Sequence, residues 1–322
     1  MKRAEETGVG VVHVGAPEGS VVHRFAHQAM ATVFEVRCAH DDPGYARQAA
    51  HAAFDLLDRL EQELSRFVPN SDVSRINELR PGEGTRVSPW TMECLRIARS
   101  LFERTFGAFD VSLGSGLDRL ELDPDGFTVR AGADGVRLDL GGIGKGYAVD
   151  RMAELLAEWG VDRALVHGGF SSVLALLPPP GREGWPLTLS APWPAEQKVL
   201  ARLSASLMAL SASGTRKGGH IVDPSTGRAA HGKAAWAAFS LAARPERPVT
   251  PSPGPDIHDS PAAVAEGFST AFMILPRRDI EDICRRCPGL QAWLATKPAE
   301  GEGPATTLLH LAPRDESPRD EG

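Results

Sequence analysis

Residues 138–150 read Leu138-Asp-Leu-Gly-Gly-Ile-Gly-Lys-Gly-Tyr-Ala-Val-Asp150, a run predicted to pass from a short apolar strand through a glycine-packed turn into a helix. Glycine lets backbone N–H groups approach an anion closely, a helix start adds a partial positive charge, and Lys145 adds a full one. Asp139, three residues before Gly142, is placed to face the same ligand. A plain glycine-rich turn between strand and helix fits the run as well as an anion site does. Two better-known glycine motifs do not fit. A Walker A loop requires Gly at position 139 and Ser or Thr after its lysine, where this chain has Asp139 and Gly146. A dinucleotide fingerprint begun at Gly142 and Gly144 requires a small residue at 147, where Tyr147 stands.

On either side, the periodicity alternates between sheet and helix. Val21–Phe25 and Ala31–Cys38 read as extended segments. Beyond Pro43, Ala46, Ala50, Ala53, Leu57, Leu60 and Leu64 recur at steps of four and three, giving one apolar face on a long helix that ends at Val68-Pro69-Asn70. A second helix is expected over Trp90–Phe106, opened by Ser88-Pro89 and stopped by Gly107. After the helix at Ala148–Trp159 come two more strands, the first at Ala164–Gly169. Proline-rich loops are expected near 178–197, interrupted by a short strand at Leu187–Ser190, and near 243–261. A mixed α and β protein follows.

The chain has 322 residues, 42% of them hydrophobic, enough for a sizeable core. A formal net charge of -7 and the lack of a basic run with interleaved aromatics argue against nucleic acid. No stretch approaches the length of a membrane span and MKRAEETGVG has no apolar leader core, so a cytoplasmic protein without membrane insertion is expected. Four cysteines are too few for a disulfide scaffold, and Cys284 and Cys287 read as two helix-end thiols rather than a redox or zinc pair.

Six ordered blocks carry a resemblance: Met30-Ala-Thr32, Leu64-Ser-Arg-Phe67, Gly107-Ala-Phe-Asp110, Asp139-Leu-Gly-Gly-Ile-Gly-Lys145-Gly-Tyr, His220-Ile-Val-Asp-Pro-Ser-Thr-Gly227 and Ala265-Glu-Gly-Phe-Ser-Thr270. Together, over about residues 25–296, the chain resembles the ApbE family of FAD:protein FMN transferases. The resemblance implies an α+β, T-fold-like architecture of mixed sheets flanked by helices. It also implies a magnesium-dependent reaction that moves FMN from FAD to a Thr or Ser hydroxyl of a separate acceptor flavoprotein, with AMP leaving. The organisation expected is a flexible N-terminus over 1–20, one ApbE-like flavin transferase domain over 21–312, and, from its charge and lack of an apolar period, a disordered tail over 313–322.

By the same resemblance, Met30, Phe67, Ala108, Phe109, Asp110, Asp139, Lys145 and Ile221 line the FAD site, with Lys145 on the phosphates and the aromatics against the rings. The Gly142 carbonyl, the Glu266 carboxylate and the Thr270 hydroxyl would hold Mg2+, which favours oxygen ligands shared with substrate phosphate. Glu266 and Thr270, four residues apart, share a face if their segment is helical. His220 would accept or relay the proton of the incoming hydroxyl, and Asp223 first fixes a turn. Three departures stand out: Glu266 where the family usually has Asp, Phe170 after Gly168-Gly169, and the basic loop Thr215-Arg-Lys-Gly-Gly219. Water as acceptor would make the chain an FAD pyrophosphatase, and loss of chemistry would leave an FAD-binding module. The chain lacks the Asp-x-x-Ser/Thr-Gly-Ala-Thr acceptor pattern, so its target is another protein.

Overall fold

The structure, a computed structural model, describes residues 12–14, 22–191, 193, 199–214, 221–241, 259–296 and 306–312. His220, the basic loop at 215–219, the tail at 313–322 and most of the stretches 1–20 and 243–261 lie outside the described residues.

An eight-stranded sheet organises the chain. It comprises β2 (Val22–Ala29), β3 (Thr32–Ala39), β7 (Ala164–Gly168), β8 (Ser172–Ala175), β11 (Met208–Gly214), β12 (Lys233–Ser240), β13 (Leu290–Thr296) and β14 (Thr307–Leu311), in the order β14-β13-β12-β11-β8-β7-β3-β2. Every neighbouring pair is antiparallel. A second sheet, of β1 (Val12–Val14), β9 (Trp185–Ser190) and β10 (Val199–Ala205), covers one face. Between the two sheets lie Leu165, Val173, Leu210 and Trp236 from the large one and Trp185, Leu187 and Leu189 from the small one. Alternate residues of the large sheet, such as Phe34, Val36, Val166, Ala209 and Phe239, turn to the other face. That face is covered by α1 (Pro43–Leu64), α4 (Gly144–Glu158) and α5 (Pro261–Phe272). This is the two-sided burial that a period of two in the strands dictates. α2 (Asp72–Ile76), α3 (Pro89–Arg104) and a small sheet of β4 (Gly84–Arg86), β5 (Leu120–Asp123) and β6 (Thr128–Ala131) extend the helix side, and α6 (Arg277–Arg286) packs by β13.

The local signals act as their chemistry requires. Asp42 caps α1 by accepting from the N–H groups of Gly44 and Tyr45, Pro43 fills the first turn, and the six spaced apolar residues Ala46 through Leu64 are all buried. Cys284 and Cys287 are free, buried thiols at the end of α6, and burial pushes the Cys284 thiol up to about 12. One expectation is corrected: no strand precedes the glycine turn. The backbone of residues 136–139 is extended but unpaired in any ladder, because Leu138 N–H donates to the Asn77 side chain and Asp139 N–H to the Val111 carbonyl. Side-chain and loop partners satisfy the donors that a neighbouring strand would have taken. The helix also begins four residues earlier than Ala148, at Gly144.

Among the described residues, no helix is long and apolar enough to cross a membrane.

Candidate active site

α5 decides the geometry of the site. Eleven of its twelve residues are buried, an apolar helix laid into the middle of the protein, and Glu266 sits in it at 4% exposure. A carboxylate in such a place must be paired. Its Oε1 accepts from Lys145 Nζ, and its Oε2 accepts from Gly146 N–H at 2.6 Å. Both donors belong to the first turn of α4, so the glycine run and α5 are joined through this one side chain. The junction is tight: a Cβ on Gly146 would stand 2.3 Å from the Ala262 carbonyl oxygen, so only glycine permits this approach.

The same two helices are tied again by Asp150. Fully buried on α4, it accepts from the N–H groups of Ala262 and Ala263 at 2.9 and 2.8 Å, serving as a cap for α5 supplied from a neighbouring helix. Burial pushes its carboxyl up to about 8 against the pull of those donors.

One turn beyond Glu266, Thr270 donates to the Glu266 carbonyl at 3.0 Å, and its hydroxyl is 3.3 Å from that of Ser213 on β11. Ser213 in turn meets Ser269 at 2.9 Å. Gly142 faces them: a Cβ built there would lie 3.9 Å from Thr270 Oγ1 and 3.3 Å from the Phe109 ring. Gly142, Glu266, Thr270 and Ser213 line one cavity of about 320 Å³, together with Ala108, Phe109, Asp110 and Ile221. The sequence-predicted metal trio is thus brought together from segments more than 120 residues apart.

A second cavity, of about 440 Å³, shares Asp139, Gly141 and Lys145 with the first and continues past them to Met30, Ala31, Arg66 and Phe67. Met30 and Ala31 form the two-residue turn of the β2–β3 hairpin, at φ 48° and 56°. Such a turn favours Asn-Gly, so both residues are held in a costly conformation at the cavity's edge. Phe67 is 77% exposed and carries the Arg66 guanidinium over its ring at 4.1 Å. Asp139 accepts from Gly141 N–H at 2.9 Å and from Arg66 Nε at 2.9 Å, and Lys145 Nζ also donates to the Gly141 carbonyl at 3.1 Å.

The described site residues therefore fall into two adjoining chambers, with Asp139 and Lys145 at the boundary. The family resemblance implies that Asp110 lines the FAD site. In the structure its carboxylate accepts from Ser112 N–H, Ser112 Oγ and Gly114 N–H at 2.6–2.8 Å, so it shapes its own loop beside the cavity. Asp223 behaves as a turn residue, with bonds from Ser225 N–H and Oγ holding its carboxyl below the usual range. Arg66, Asp150 and the Ser213–Ser269 hydroxyl pair were not marked by the sequence. Their roles arise from cross-chain packing, and only the position of Arg66 inside the Leu-Ser-Arg-Phe block hinted at it.

The donor set suits a hard divalent cation. One carboxylate, two hydroxyls and the backbone of Gly142 are all oxygen, with no competing thiol or imidazole among the described residues that line the cavity. No cluster of three His, Cys, Asp or Glu residues exists among the described residues, so such a cation would draw further ligands from a substrate's phosphate.

An antiparallel α+β scaffold with an oxygen-lined, two-chambered cleft at a glycine turn defines the structural class. The model of the ApbE family matches residues 30–126 and 115–243, and the chain belongs to that family. Among curated proteins it is 24% identical over 213 residues to an FAD:protein FMN transferase of Vibrio cholerae, covering 54% of this chain and 62% of that protein. It is 23% identical over 298 residues to an FAD:protein FMN transferase of Klebsiella pneumoniae, covering 80% of this chain and 78% of the relative. Among solved structures, the flavin transferase ApbE of Vibrio cholerae superposes with a TM-score of 0.72 at 19% identity, over 91% of this chain and 98% of that one. The apo flavinyl transferase ApbE of Pseudomonas stutzeri gives 0.72 at 23% identity, over 90% and 94%. These superpositions confirm the α+β fold expected from the sequence.

Proposed function

We propose that this chain is a magnesium-dependent FAD:protein FMN transferase of the cytoplasm, a single catalytic domain over residues 21–312 that acts on a separate acceptor flavoprotein. The observation that carries this reading is the convergence of Gly142, Glu266 and Thr270 on one cavity that opens, past Asp139 and Lys145, into a second chamber with an aromatic edge. A dinucleotide needs that shape: a charged waist for the diphosphate, with room for a ring system beyond it. The names of the relatives support the same reading.

In the reaction, an acceptor Thr or Ser hydroxyl oxygen bonds to the FMN phosphorus of FAD, the phosphorus–oxygen bond to AMP breaks, and the hydroxyl proton passes to a base. His220 is the proposed base, from its place in the His-Ile-Val-Asp-Pro block. Glu266, Thr270 and the Gly142 carbonyl would hold Mg2+, which when bound neutralises diphosphate charge. Lys145 orients the phosphates from the helix start, and Met30, Phe67, Ala108, Phe109 and Ile221 provide apolar contact along the flavin dinucleotide. Asp139 holds the glycine turn in shape through Gly141.

The test supplies FAD and Mg2+ to the purified chain with an acceptor domain carrying an Asp-x-x-Ser/Thr-Gly-Ala-Thr segment. The expected result is a flavin-fluorescent band on a denaturing gel, with one AMP released per FMN attached. AMP release without an acceptor identifies a pyrophosphatase instead, and FAD that stays intact with Mg2+ identifies a binding module.

A further inference from the structure

We propose that Arg66 is a second diphosphate-binding cation of this site, a positioning residue that the glycine turn and Lys145 alone do not replace. The inference rests on the FAD reading above and deepens it.

Lys145 is already committed. Its ammonium has three N–H donors, of which one goes to Glu266 Oε1 and one to the Gly141 carbonyl. Among the described residues Arg66 is the other cation lining the cleft, and it is held in a different manner. Nε donates to Asp139 Oδ2 at 2.9 Å while the guanidinium lies 4.1 Å over the Phe67 ring, so the side chain is fixed on two sides although 43% exposed. Among the described residues that is the only hydrogen bond its guanidinium makes, which leaves four of its five N–H groups for a ligand. A guanidinium fork matches two phosphate oxygens in a way that an ammonium does not.

Charge balance points the same way. Arg66 and Lys145 are offset by Asp139 and Glu266, so these four side chains contribute no net charge. The described lining also carries Glu61 and Asp110, so a diphosphate with two negative charges and one divalent cation enters a cleft with more carboxylates than cations. Removing Arg66 widens that excess of negative charge by one, which penalises a charged diphosphate more than a neutral flavin ring.

The experiment titrates FAD and, separately, riboflavin into the full chain with Mg2+, following flavin fluorescence, for the unsubstituted protein, Arg66→Met and Arg66→Lys. Riboflavin has the ring and no phosphate. Arg66→Met is expected to raise the Kd for FAD about tenfold and flatten its dependence on salt, with riboflavin shifted less than about twofold and Arg66→Lys between. Equal loss for both ligands overturns the proposal, because it would mean that Arg66 only supports Phe67 and Asp139. An unchanged Kd for FAD in Arg66→Met also overturns it. If the unsubstituted chain binds no FAD, the proposed function itself fails and takes this inference with it.

Discussion

Glu35 and Glu266 are both buried glutamates, 1% and 4% exposed, and each is met by basic groups, yet only one of them faces a cavity. Glu35, on β3, is enclosed by the guanidinium of Arg37 from its own strand, by that of Arg24 from β2 and by the His167 imidazole of β7 at 3.4 Å. Burial alone would raise its carboxyl, but His167 and Arg37 outweigh that and hold it at about 2. Glu266 has one ammonium and one backbone N–H, with hydroxyls beside it and open volume in front. An oversupplied buried charge is part of the framework. A sparsely supplied one that borders a cavity can take a ligand.

That contrast can be tested in order of expected effect. Replacing Glu266 by Gln should lower transfer activity about 10³-fold, measured as AMP release at saturating FAD, while the fold persists because Gly146 keeps an oxygen acceptor. A variant with near-normal turnover would place Glu266 with the framework group. Glu35→Gln should do the reverse. Turnover per folded molecule stays unchanged, and stability at pH 7 falls by about 3 kcal/mol in urea unfolding, since the buried carboxylate that pairs with Arg37 loses its charge.

The same pair makes a pH prediction. Because Glu35 is held at about 2 instead of 4.5, its contribution is complete above pH about 4.5 and is lost as pH falls toward 2. The stability gap between the unsubstituted chain and Glu35→Gln should therefore narrow progressively between pH 4.5 and 3. A gap that is constant with pH would assign it to packing. The smallest effect is expected at the cleft edge. Ala31→Gly relieves a left-handed backbone position and should stabilise by about 1 kcal/mol, with the midpoint in urea as the readout.

Much of this arrangement was legible in the sequence wherever a local rule governed it. The α1 stripe from Ala46 to Leu64 and the serine and proline that open α3 follow from periodicity and caps. The glycine run announced an anion-handling turn, and the order of the six blocks pointed to the family. What could not be read were partnerships set by packing alone. Nothing near Glu266 in the sequence tells that its oxygens meet Lys145 and Gly146, 121 and 120 residues away. The expected strand before Gly141 failed for the same reason: its apolar residues are buried, but Asn77 and Val111, not a neighbouring strand, take up its backbone. Asp110 illustrates the limit from the other side, since its motif was visible while the loop that engages its oxygens was not.

The double tie between α4 and α5 bears on how the cleft can admit a long ligand. Gly146 is pressed against Ala262, and Asp150 grips the N–H groups of Ala262 and Ala263, so the inner wall behaves as an anvil. At the far end of the other chamber, the Arg66-Phe67 corner is held through a partly exposed ion pair from Arg66 to Asp139. The inner oxygen donors of the cleft thus sit on its stiffest wall, and its outer rim hangs on a solvent-screened tether.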